Sequence, residues 1–140
     1  MISTAALAAL VLAMQAPAWT WTLYEGSGPI VLANERPDTP DLRTTLECSA
    51  GSGIARVSVY QSTLKPGFAT VTSGDQSATT EAGPGADQAV VASLRTDHPV
   101  FGRFSASGTL SMTVGEARQV IQIDAGDLAK LRRFADLCGG

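Results

Sequence analysis

The sequence predicts a mainly β protein: an antiparallel sandwich or bent sheet of about eight strands, with one short helix and a C-terminal helix packed on it. Three observations carry that expectation. Short runs of alternating apolar and polar residues recur along the chain, separated by clusters of Gly, Pro, Ser, Asn and Asp. That is strand-and-turn punctuation. Neither a strand–helix alternation nor an internal repeat is visible, so nothing points to a parallel βαβ sheet. The one long amphipathic stretch, residues 124–138, closes the chain and carries Cys138, one of its two cysteines.

Residues 1–18 are set apart from the domain. Residues 5–14 form an unbroken apolar run of about ten residues, the length of a signal-peptide core and too short to span a bilayer. Ala16-Pro17-Ala18 follows as a small-residue cleavage pattern, although the first four residues contain no Lys or Arg. The alternatives are a buried N-terminal helix or a translation start further upstream. The expectation is export to the periplasm or the medium with cleavage near Ala18, leaving residues 19–140 as a single β-rich domain. Trp19, not a cysteine that could take a lipid, stands directly after the cut, and no later apolar stretch reaches membrane-spanning length.

The whole chain is 44% apolar, enough to bury a core, and a formal charge of −3 with scattered basic residues gives no footprint for nucleic acid. Two cysteines in an exported chain favour one disulfide, Cys48 to Cys138. They are too far apart for a Cys-x-x-Cys redox pair, and no histidine cluster suggests a metal site, so no cofactor is expected. Two free thiols are the alternative pairing state.

In chain order, residues 19–24 alternate Trp19, Trp21 and Leu23 with polar neighbours, and residues 30–33 follow a Gly-rich turn as the second strand of a hairpin. Residues 34–41 form a polar connector. In residues 42–49, Thr44, Leu46 and Cys48 share a face, which places Cys48 in phase with a core leucine. A Gly-rich turn leads into residues 54–60, where Ala55, Val57 and Val59 point one way. Residues 68–72 and the polar run 76–81 are two further strands. Residues 82–87, rich in Gly and Pro, are the most loop-like and are expected to be mobile. Residues 88–94 read as a central apolar strand.

Around Pro99 a short helix is expected, capped by Thr96 or Asp97 and ended by Gly108, with Val100, Phe101 and Phe104 inward. Residues 109–114 turn Leu110, Met112 and Val114 inward, Gly115-Glu116 makes a two-residue type II′ turn, and residues 117–123 return with Ile121 and Ile123 inward. In the terminal helix Asp124 and Asp127 occupy the two acidic positions of a capping box. Leu128, Leu131, Phe134, Ala135 and Cys138 fall within one arc of roughly 100°. Lys130, Arg132 and Arg133 are read as a solvated basic face.

Chemistry is sparse. His98 is the only histidine, so a hydrolase would have to use it, yet no Gly-x-Ser-x-Gly accompanies it, and Gly51-Ser52-Gly53 is only a fragment of such a motif. Glu25, Glu47, Glu81 and Glu116 supply carboxylates without any spacing that pairs them. No catalytic, cofactor-binding or metal-binding residue is assigned. Trp19, Trp21 and Tyr60 are the candidate contacts to a partner, such as an envelope or secreted protein.

The order Asp97-x-Pro99-Val100-Phe101, short helix, Ser107-Gly108-Thr109-Leu110-Ser111-Met112-Thr113-Val114-Gly115, paired strand, then Leu128-x-x-Leu131-x-x-Phe134-x-x-x-Cys138 carries a resemblance. It resembles the C-terminal part of small exported bacterial proteins, mostly uncharacterised, among them the invasion-associated locus B type. The resemblance implies a periplasmic β-sandwich without known catalytic residues. The functional expectation is an exported, non-catalytic binding or accessory module. A small hydrolase using His98, or an inhibitor or subunit of an envelope protein, are the alternatives.

Overall fold

The computed structural model describes residues 18–139. The leader-like segment, Ala18 excepted, lies outside them. Nine strands are present: β1 (Thr20–Tyr24), β2 (Ile30–Glu35), β3 (Leu42–Cys48), β4 (Ile54–Val59), β5 (Gly67–Ser73), β6 (Gln76–Pro84), β7 (Val90–Arg95), β8 (Thr109–Val114) and β9 (Ala117–Gln122). Two α-helices, α1 (Pro99–Ser107) and α2 (Leu128–Cys138), complete the domain. The strands form one sheet in the order β1-β2-β3-β4-β7-β6-β5-β8-β9, curled into a half-barrel, with every pairing antiparallel. The mainly β, bent-sheet expectation is met.

The bend has a local cause. β6 pairs with β5 from Gln76 to Ala82, then changes partner, meeting β7 only through Gly83↔Val91 and Pro84↔Val90. A strand that switches neighbours makes a corner between two sheet segments. Residues 82–87, expected as a mobile loop, are thus partly strand. After Pro84 the chain stays hydrogen-bonded, with the Gly85 N–H donating to Ala89 O at 2.8 Å and residues Ala86–Gln88 forming a 3-10 turn. Glycine and proline here mark a corner rather than free chain.

The concave face is apolar as the period-2 pattern requires: Leu32, Leu46, Val57, Val71, Leu110 and Met112 are fully buried. The helices cover it, α1 against β5 and β6, α2 against β1 and β2, and each against the other. Phe101 and Phe104 meet edge to face at 6.0 Å inside this core.

The cap of α1 differs from expectation. His98 is the N-cap, its Nδ1 accepting the Val100 N–H at 3.1 Å. Asp97 is unavailable because both its oxygens are held by Arg95, at 2.9 and 2.7 Å. At the other end Gly108 has φ 81° and its N–H donates to Phe104 O at 2.7 Å. A side chain there would be strained by the left-handed backbone, and its Cβ would strike Ile123 O and meet Leu128 Cδ2 at 2.9 Å. Gly108→Ala is expected to destabilise the fold by about 2–4 kcal/mol. Gly28→Ala, with open space around it, should melt like the parent protein. Paired thermal melts check this, and equal Tm values would refute it.

The capping box of α2 does not form. Residues Ala125–Asp127 make a 3-10 turn in which the backbone N–H of Asp127 already bonds Asp124 O at 2.8 Å, and neither aspartate caps through its side chain. Asp127 pairs with Lys130 instead, at 2.9 Å. The apolar arc is as expected, with Leu131, Phe134 and Cys138 buried and Leu128 and Ala135 half-buried; Leu137, off the arc, is half-buried too. The basic face is not simply solvated: Lys130 also donates to Trp21 O at 2.8 Å, and Arg133 pairs with Glu25 at 3.2 Å. Cys48 and Cys138 form a disulfide, their Cα atoms 5.9 Å apart. Beside it, Gly51 and Gly53 N–H groups donate to Leu137 O and Cys138 O, at 3.0 and 2.7 Å, so the turn after β3 satisfies the last carbonyls of the helix.

Candidate functional site: a polar cleft at the sheet seam

The curl brings β9, at one end of the sheet, opposite one transverse row of the other end. That row is fixed by register: Trp21 stands opposite Asn34, and Asn34 opposite Thr44. Between the row and β9 lies a cleft of about 330 Å³. Asn34, Thr44, Tyr60 and Gln61 stand on one side and Gln119 to Gln122 on the other, with Trp21 in the wall and Arg43 at the rim.

Three of these side chains point inward for a reason visible in the pairing. Asn34 is in phase with Leu32, Thr44 with Leu46, and Gln119 with Ile121, so each continues a core-facing row past the point where apolar filling stops. Polar groups at inward positions must find partners or water. Among the described residues the result is a mouth lined by amides and hydroxyls, with a guanidinium as its single charge and no carboxylate.

The three residues singled out as partner contacts gather around this mouth without forming an exposed aromatic patch. Trp21 is only 7% exposed and serves as wall. Tyr60 is half-buried in the lining. Trp19 is outside the lining but lies beneath the Arg36 and Arg43 guanidinium carbons, 4.9 and 4.1 Å from its ring centroid. It thereby holds the rim arginine in place. Asn34, Arg43, Thr44, Gln61 and Gln119 were not expected. For Asn34, Thr44 and Gln119 the available signal was a polar residue in phase with a core leucine or isoleucine.

His98 is elsewhere, beside a shallow pocket with Thr79, Thr80 and Ser93. With Nδ1 accepting the cap hydrogen bond, the neutral ring carries its proton on Nε2 and has no free lone pair to act as a base. Asp97 does not orient it: both its oxygens accept hydrogen bonds from Arg95, which also hold that carboxyl below the usual aspartate range. Ser52 Oγ is engaged with the Ile54 backbone at 3.3 Å. Glu25 is paired with Arg133, and Glu35 accepts from the Tyr24 hydroxyl, whose pKa that bond raises above the ordinary tyrosine value. Among the described residues no group of three His, Cys, Asp or Glu side chains could hold a metal ion.

Fold and site together define a disulfide-pinned, curled antiparallel β domain with a polar cleft at its seam. Among the described residues no helix is long and apolar enough to cross a membrane. No protein-family model, curated protein or solved structure matches the chain.

Proposed function

We propose that this chain is an exported, non-catalytic binding or accessory module of the periplasm or cell exterior, and that the seam cleft is its recognition surface. The observation that carries the reading is the convergence of Asn34, Thr44, Tyr60, Gln61 and Gln119 with Arg43 on one pre-formed concavity. Such convergent polar groups in a cleft are what a ligand site requires. Export is supported by the apolar run and Ala16-Pro17-Ala18, and by a disulfide of the kind that persists in oxidising compartments. The resemblance of residues 97–138 to exported proteins of the invasion-associated locus B type agrees with that reading.

The test uses the native tryptophans, since Trp21 forms the wall and Trp19 carries the rim arginine. A fluorescence screen of polar metabolites, glycans and short peptides should find a class that shifts the emission. Arg43→Ala should weaken that binding roughly tenfold, the worth of one charge-assisted contact, and leave the melting curve unchanged. A screen without any response, or binding indifferent to Arg43→Ala and Gln119→Ala, would remove the cleft from consideration. Turnover in a broad hydrolase assay that disappears in His98→Ala would establish the catalytic alternative instead. Mass spectrometry of the protein recovered after expression of the full chain should show a mature start near Trp19.

A further inference from the structure

We propose that the seam cleft receives an extended peptide, which adds as a further strand to the free edge of β9 and places an acidic residue against Arg43. The inference rests on the cleft being the recognition surface. The sheet has two edges, β1 and β9, and they are not equivalent. Along β1, Lys130 of α2 takes up the Trp21 carbonyl and Arg133 grips Glu25 beyond the strand end. β9 has β8 as its single hydrogen-bonded neighbour.

The phase of that pairing decides which groups remain. A two-residue turn makes its flanking residues, Val114 and Ala117, exchange both backbone hydrogen bonds, and bonded and non-bonded pairs then alternate down the ladder. The far end agrees: the Ile123 N–H donates to Gly108 O at 2.7 Å, as the alternation requires. Arg118, Val120 and Gln122 therefore turn their N–H and C=O groups away from β8. Among the described residues no turn, loop or other strand takes those groups up.

Edges are ordinarily blunted by proline, a bulge or a projecting charge. β9 has no proline and its register with β8 is unbroken. Its one charge, Arg118, is drawn back over β8 to Ser111 Oγ at 3.2 Å. Val120, 46% exposed, sits beside the free backbone groups. An added strand gains main-chain bonds from β9, while Asn34 and Gln61 across the cleft offer donors and acceptors to its other side. Among the described residues Arg43 is the only charge lining the cleft, which selects an acidic side chain on the peptide.

The probe is the peptide acetyl-Thr-Val-Glu-Val-Thr-Val-Thr-amide, and the readout is amide hydrogen exchange in the intact chain by NMR. With saturating peptide the Val120 and Gln122 amides should exchange at least about tenfold more slowly, while Gln119 and Ile121, already bonded to β8, change little. The same peptide N-methylated at alternate residues should protect neither. Val120→Pro removes an outward N–H without breaking a ladder bond and should abolish the protection, whereas Val120→Thr should retain it. Resonance shifts at Trp21 and Gln119 without protection of Val120 and Gln122 would overturn strand addition and leave the cleft reading standing. No shift anywhere at millimolar peptide would also overturn it, the cleft then being judged by the fluorescence screen. Protection that grows with protein concentration in the absence of peptide would identify a second copy as the occupant and overturn the proposal too.

Discussion

Replacing Cys48 and Cys138 together by alanine is expected to lower the melting temperature by roughly 15 °C, the largest effect of any change that leaves the core side chains in place. The bond closes a loop of 90 residues. In the loop-entropy account a link of that span contributes about 4–5 kcal/mol, an upper figure. Its position adds to the effect. Cys48 ends β3 and Cys138 ends α2, so the link ties the last turn of the helix to the end of the third strand from the β1 edge of the sheet. The Gly51 and Gly53 N–H bonds to Leu137 and Cys138 depend on the same closeness. Alanine is the right replacement because both sulfurs are buried, and serine would add an unpaired hydroxyl in an apolar site. Melts of the double variant and of the reduced parent should coincide well below the oxidised parent. A fall of less than about 3 °C would mean that packing alone holds α2 in place.

Much of this was readable from the sequence, and the reason is periodicity. Thr44, Leu46 and Cys48 on β3, and Ala55, Val57 and Val59 on β4, face inward as alternation dictates. The helical arc of Leu131, Phe134 and Cys138 brings the second cysteine to the same core. Caps were less legible because they depend on competition. Asp97 has the better intrinsic preference for an N-cap than His98, but Arg95 occupies it. At α2 a backbone 3-10 bond and Lys130 displaced the side-chain caps. Both competitors stand close by in sequence, but cap preference alone does not rank them against the cap.

The cleft was half legible. Asn34, Thr44 and Gln119 interrupt inward apolar rows, and polar residues at core-phase positions are a local signal. That they face one another is a property of the curl. The curl comes from β6 changing partners at Gly83 and Pro84, and the cleft needs in addition the pairings of β4 with β7 and β5 with β8, which join residues far apart in sequence and which no short window encodes. The same limit concealed the difference between the sheet edges. Nothing in the alternation of β9 marks it as a rim strand, and only the strand order places it there.

Phe134→Ala is expected to cost about 3–5 kcal/mol, and Phe68→Ala less than about 0.5 kcal/mol, although both residues stand in patterned segments. Phe134 is fully buried at the centre of the α2 face, whereas Phe68 is 79% exposed on the outside of β5. Removing the first leaves a cavity between helix and sheet, and removing the second leaves open solvent. Denaturant unfolding at a common slope separates the two costs. The coupling with the disulfide is the sharper test. Phe134 and Cys138 secure the same helix, so in the alanine-for-cysteine background Phe134→Ala should cost less than in the parent if α2 opens as a unit before the sheet unfolds. If the costs add fully, α2 and the sheet unfold together, and the helix is part of one cooperative core rather than a separately fastened cover. Hydrogen exchange in the doubly substituted protein distinguishes these outcomes directly, because separate opening exposes the amides of α2 while those of β3 and β4 remain protected.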